Sequence, residues 1–254
     1  MDGKYERQLM QTGLFSSRTN MISYLLMHFI SQKNEAAGSW ALRDDLLSIG
    51  VDCSTATIGR YLKELDYREY TVQKSNMGRV LTPVGKAFLN DMEEKLERTR
   101  IQTELSKAVK VTEHSELVEL LYVRRALETE AVRLAVENAT PKELKMLMKK
   151  VAAHKDTVLR NEDPTDVALD FHATVAEISH NKFVKSILKM LIYEEKRIES
   201  TIETLVTRER GRIYAKEHEE IATAISEHKA QTAEKLMFDH ISELCSAVME
   251  QVKE

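Results

Sequence analysis

Apolar residues recur every three or four positions through most of this chain, which is the period of a helix with one buried face. The first clear case is "RTNMISYLLMHFISQKN" (18–34), with Ile22, Leu25, Leu26, Phe29 and Ile30 on its inner side. "SWALRDDLLSIG" (39–50) follows, with Ser39 expected as N-cap and Gly50 as the stop. A tight "VDCS" turn leads to "TATIGRYLKELDY" (55–67), whose buried stripe is Ile58, Tyr61, Leu62 and Leu65. The pattern then changes to two short β-prone runs around Ser-Asn-Met-Gly in "YTVQKSNMGRVLTP", which predicts a hairpin. Helix, helix, turn, helix, hairpin is the order of a winged helix-turn-helix.

From "TPVGKAFLNDMEEKLERTRIQ" onward the chain is helical and charged, and it reads as a connector. After His114 come long amphipathic stretches. "SELVELLYVRRALETEAVRLAVEN" is the first, and "TPKELKMLMKKVAAHKDTVLR" opens on Thr140 as N-cap with Pro141 behind it. "DPTDVALDFHATVAEIS", "KFVKSILKMLIYEEKRIESTIETL", "RERGRIYAKEHEEIATAISEH" and "AQTAEKLMFDHISELCSAVMEQV" follow, joined by short links. Short links favour antiparallel neighbours. The expected fold class is therefore mostly α: an N-terminal winged helix-turn-helix, then an all-α antiparallel helical bundle. The expected organisation is a winged unit over 1–90, a helical connector over 91–113 and a helical bundle over 114–254.

Composition sharpens this picture little. With 43% hydrophobic and 31% charged residues in 254, the chain has the make-up of a soluble globular protein. No apolar run approaches the roughly 20 residues of a membrane span. Cys53 and Cys245 lie far apart without metal-type spacing. These features, and a start without an apolar signal core, predict a reduced, cytoplasmic protein with no membrane partner. A net charge of −4 leaves room for a local basic surface. Thr55, Thr57, Arg60 and Lys63 lie off the buried stripe of the third helix, available to bases and phosphates. Lys74, Ser75, Asn76 and Arg79 are expected at the hairpin tip, near a neighbouring groove or backbone of double-stranded DNA.

In "ALDFHATVAEISHN" (168–181) one histidine stands in an apolar pattern: His172 shares its face with Leu169, Val175 and Ala176. His218 (with Tyr214, Ile221, Ala222 and Ile225) and His240 (with Leu236, Met237 and Leu244) are placed similarly. By pattern alone each is either a packed core residue or a ligand. His154, beside Leu147, Val151 and Val158, is assigned no role. Arg124 lies among Leu120, Leu121 and Leu127, and a buried guanidinium needs an anionic partner. Glu128 one turn on is one candidate, and an anionic ligand is the other.

Both halves together resemble a transcription regulator of the GntR family, FadR subfamily. "LVELLYVRRALETEAVRLAVENATPKEL" is similar to the opening of that subfamily's helical effector-binding domain, FCD. "DFHATVAEISHNKFV", "EHEEIATAI" and "MFDHI" follow in the expected order, so the similarity spans roughly residues 110 to 250. The winged half departs from the family, with "AAGSWALRDDLLSIG" where an "LPSER"-like stretch is common. In many FCD domains an aspartate and three histidines hold a metal, the aspartate four residues before the first histidine. His172, His218 and His240 match the histidine positions, but the aspartate position is Ala168. Asp166 and Asp170 lie off the His172 face. Three imidazoles can still hold one divalent ion per chain, Zn²⁺ or Ni²⁺, with a position left open and more positive charge than usual.

The resemblance further implies a homodimer, an operator DNA, and a small carboxylate effector such as a hydroxy acid or sugar acid. It places Arg124 near the effector, and Asn181 at a position where capping the next helix is the plainer role. The chain is expected not to be an enzyme. Two rivals stay open: a metal-free regulator with a larger effector, and a three-histidine metalloenzyme, for which no placed general base is visible since Glu217 and Glu219 point away from the His218 face.

Overall fold

A computed structural model describes residues 4–199 and 210–252 and divides into two compact units, Met1–Lys107 and Ala108–Glu254. In the first unit, α1 (Lys4–Gln11) precedes α2 (Arg18–Ser31), α3 (Ser39–Ser48) and α4 (Thr55–Tyr67). Strands β1 (Thr71–Lys74) and β2 (Gly78–Leu81) then pair antiparallel, Val72 opposite Val80. This is the expected winged helix-turn-helix, with α1 as an element the apolar pattern did not suggest. Its core joins Ile22, Leu25, Leu26 and Ile30 of α2 to Leu42 and Leu46 of α3 and Ile58, Leu62 and Leu65 of α4.

One boundary differs from expectation. Gly38, not Ser39, is the N-cap of α3, and Ser39 is its first helical residue. Ahead of α3 the chain is drawn against the wing, where Ala37 and Arg79 bond each other's backbones. Gly78 makes that approach possible: it has φ +125°, and a Cβ there would sit 2.2 Å from the Ala37 carbonyl carbon. Gly50 ends α3 at φ +79°, as its position predicted. Helix α5 (Pro83–Ala108) is continuous, so most of the stretch read as a connector is its second half and belongs to the first unit.

The second unit is a helical bundle: α6 (His114–Asn138), α7 (Pro141–Leu159), α8 (Thr165–Ile178), α9 (Lys182–Glu199), α10 (Gly211–Ser226) and α11 (Ala230–Val252). The expected C-terminal part of the α9 stretch and the start of the next lie outside the described residues. Thr140 and Glu143 form a reciprocal capping box on α7, with Pro141 in the first turn. α6 lies along α11, α7 packs on α8 and α10, and α8 also meets α6 and α9. Leu121, Val132 and Ala135 of α6, Phe171 and Val175 of α8, and Ile221, Met237 and Ile241 of α10 and α11 form its core. Among the described residues no helix is long and apolar enough to cross a membrane.

Candidate metal and effector site

Histidine clusters inside apolar bundles have to be neutral or paired, because burial strongly disfavours an isolated imidazolium. His172 on α8, His218 on α10 and His240 on α11 are all buried, and their rings meet. His240 Nε2 lies 3.2 Å from His218 Nε2 and 3.3 Å from His172 Nε2. One nitrogen from each ring lies within 4.8 Å of the others. Phe171 stacks on His218, centroids 4.1 Å apart at 16°, which fixes that ring's plane.

The outward nitrogens are held as well. Glu128 Oε2 contacts His172 Nδ1, Glu217 Oε2 lies 2.6 Å from His240 Nδ1, and His154 Nδ1 lies 3.0 Å from His218 Nδ1. Carboxylates on Nδ1 keep the proton there and leave Nε2 as a lone pair. His172 and His240 then aim lone pairs at one another, an arrangement that a shared cation or proton has to relieve. Nitrogens bound to one zinc ion at about 2.0–2.1 Å sit roughly 3.0–3.4 Å apart. Two of the three separations fall in that range.

Arg124 is fully buried, with Nε 2.6 Å from Glu128 Oε1 and Nη1 on Glu195 Oε2. Burial works against its charge, but Glu128 and Glu195 outweigh it and raise the guanidinium pKa. Burial also pushes both carboxyl pKa values up, with Arg124 pulling back. Burial holds His172 and His218 well below the ordinary imidazole value; Arg124 adds to this for His172, and His240 for His218. His154 is lowered to about 4, again mainly by burial.

A small cavity opens onto this cluster, walled by Arg124, Ala168, His172, Glu195, His218 and His240. The centre of a water-sized sphere has about 20 Å³ to move in. That is room for about one water or one ion. Arg124 Nη2 is buried with no hydrogen-bond partner among the described residues.

Several expectations change here. The alternatives for Arg124 are not exclusive: Glu128 pairs with it and its third nitrogen is left over. Ala168 faces the cavity, so the place of the missing aspartate opens onto the histidine cluster. Asp170 pairs with Lys150 and Asp166 lies 2.7 Å from Lys196, confirming that both face away. The site is not short of negative charge, since Glu128, Glu195 and Glu217 surround it. Glu217 indeed misses His218, yet it reaches His240 on the next helix. His154, given no role, is in direct contact with His218. Asn181 does not line the cavity: its Oδ1 accepts from Phe183 N (3.0 Å) and Val184 N (3.2 Å), capping α9.

In the winged unit, Ser54 caps α4, accepting from Thr57 N at 3.1 Å, while Thr57 Oγ1 lies 2.9 Å from Ser54 Oγ. Thr55 and Thr57 are half-buried, and Arg60, Lys63, Lys74 and Asn76 are exposed. Arg79 is not at the hairpin tip. It lies in β2, and its Nε bonds Asp66 of α4 at 2.8 Å, so it braces the wing on that helix. Trp40, the single tryptophan, stands 72% exposed on α3.

A winged helix-turn-helix thus precedes a helical bundle with a small buried cavity at its histidine cluster. Residues 119–243 match the FCD domain family. The Uxu operon regulator of Haemophilus influenzae is 27% identical over 139 residues, which cover 51% of this chain and 52% of that protein. The chain thus spans about half the length of the curated relative it matches. A Streptococcus agalactiae GntR structure covers 90% of this chain and 99% of its own at 19% identity, TM-score 0.46. The E. coli McbR/YncC structure covers 94% and 100% at 16% identity, TM-score 0.45. Residues 119–243 thus match the FCD family, and the proteins this chain is similar to include GntR-type regulators.

Proposed function

We propose that this protein is a DNA-binding transcription regulator of the FadR type, working as a homodimer, whose bundle holds one divalent metal ion and responds to a small carboxylate. The observation that carries the metal reading is the convergence of three Nε2 atoms whose Nδ1 partners are all in place. Charge supports it: Glu128, Glu195 and Glu217 against Arg124 leave two negative charges when all are ionised, matching one divalent cation. His172, His218 and His240 hold the ion; when bound, it supplies a Lewis-acidic position at which an effector oxygen can sit. The rest falls to the protein's own groups. Ala168 leaves space where a side-chain carboxylate would otherwise stand, and Arg124 Nη2 offers a free donor on the same wall.

The cavity fits an ion and about one water, well short of an acid. Binding an acid therefore has to open the wall, and an effector with differential affinity for the opened bundle shifts its population. On the DNA side, α4 is the reading element, with half-buried Thr55 and Thr57 and exposed Arg60 and Lys63 on it, and Lys74 and Asn76 on the wing.

Metal content per chain, measured on protein purified without a metal-binding tag, tests the first half. About one Zn²⁺ or Ni²⁺ per chain, lost in His218→Ala, is expected. The 3.2 Å separation between His218 and His240 also suits an N–H···N bond in a metal-free cluster. No uptake after incubation with Zn²⁺ or Ni²⁺ would establish that second reading. For DNA, Arg60→Ala should weaken binding to the protein's own upstream region by about 1–3 kcal/mol. An unchanged gel shift refutes the docking.

A further inference from the structure

The contact between His154 and His218 is not explained by packing. Two Nδ1 atoms 3.0 Å apart, both buried, must share one hydrogen between them. His154 Nε2, on the far side of its ring, is buried and has no hydrogen-bond partner among the described residues. The pair therefore has two arrangements. In one, His154 Nδ1 donates to His218 Nδ1, and His218 carries its proton on Nε2, aimed at His240 Nε2. In the other, His218 Nδ1 donates to His154 Nδ1, His218 Nε2 is a free lone pair, and the His154 proton stands on the orphaned Nε2.

We propose that His154 is a positioning residue that sets the tautomer of His218, permitting metal binding only by accepting the His218 Nδ1 proton. The inference rests on the metal reading of the histidine trio. Loading the site moves the His218 proton from Nε2 to Nδ1 and the His154 proton from Nδ1 to Nε2, so the pair neither gains nor releases a proton. The unpartnered His154 Nε2–H of the loaded form opposes metal binding, and the metal–nitrogen bond outweighs it. His172 and His240 need no such device, because a carboxylate already fixes each Nδ1 proton.

The test is zinc competition against a chromophoric chelator with the full-length chain, comparing the native protein, His154→Leu and His154→Asn. Leucine fills the space and accepts nothing, whereas the asparagine carbonyl can stand near where Nδ1 was. Removing such a partner typically costs 10–100-fold in metal affinity, so His154→Leu should bind zinc 10–100-fold more weakly. His154→Asn should recover to within a few-fold of native. Melting of the zinc-free variants checks that both fold, and His154→Ala, which also accepts nothing, replaces the leucine variant if that one does not. Native-like affinity in a variant without an acceptor overturns the proposal alone, as does an asparagine variant no better than leucine. Failure of the native chain to bind zinc overturns the proposal together with the metal reading.

Discussion

Replacing Arg124 with methionine removes the single positive charge from a pocket that keeps Glu128 and Glu195, which are 0% and 2% exposed. Breaking a buried ion pair on one side typically costs about 3–5 kcal/mol, because the remaining charge stays buried without a partner. For a unit the size of Ala108–Glu254, roughly 2–4 °C of melting temperature accompanies each kcal/mol. Arg124→Met should therefore lower the melting of the bundle by roughly 10–15 °C at pH 7.5 with chelator present. Circular dichroism is the assay, since Trp40 fluorescence reports the winged unit. Two companions fix the cause. Adding Glu128→Gln and Glu195→Gln should restore more than half of the loss, since neutral amides need no cation. Zinc should stabilise Arg124→Met more than the native protein, by offsetting the stranded charge. Lowering the pH should shrink the deficit as well: the stranded carboxyls are raised above their unfolded values, so protonation favours the folded state as pH falls. A melting change under 3 °C, or no recovery in the triple variant, would refute the charge reading.

Three further outcomes follow from the same geometry. His154 is held near a pKa of about 4 when folded, against 6.5 unfolded, so its share of stability is intact above 6.5 and is lost as pH falls towards 4. Metal-free His154→Leu should accordingly lose about 2–3 kcal/mol less than native between pH 7 and 4.5 in urea unfolding; parallel losses contradict this. Asn181→Ala should cost about 1 kcal/mol as a lost cap while leaving zinc affinity unchanged. A fall in effector or metal affinity beyond that would return Asn181 to the cavity. Glu217→Gln should weaken zinc binding about 10-fold by loosening the His240 proton, and equal affinity would show that Glu217 is only a surface neighbour.

The elements were legible because their determinants are local. Gly50, Thr140 with Pro141 behind it, and the period-2 runs about Ser-Asn-Met-Gly each act within a few residues. The Ser39 cap failed for a nonlocal reason: Ala37 pairs with Arg79, 42 positions on, and sets where α3 begins. Arg79 itself was assigned to the tip because sequence does not show which strand residue turns back to Asp66. The histidine trio was readable through the family resemblance, yet its surroundings were not. Glu195 sits in "YEEKR", which looks like a solvated run, and Glu217 flanks a histidine it does not serve. His154 shares a stripe with leucine and valine, and only the packing of α7 on α10 gives it a partner. Each of these contacts joins residues far apart in the chain, where periodicity carries no information.

The site is also spread out in time. Its groups span residues 124 to 240, and the last histidine belongs to α11, the final described helix. A chain emerging from the ribosome has made Arg124, both buried glutamates and two of the three imidazoles before that helix exists. Until then α6 lacks its most extensive neighbour, and the ligand set is incomplete. Domains complete as units during synthesis. Capture of a metal would therefore be among the last events in this protein's maturation, after the winged unit has long been free to fold.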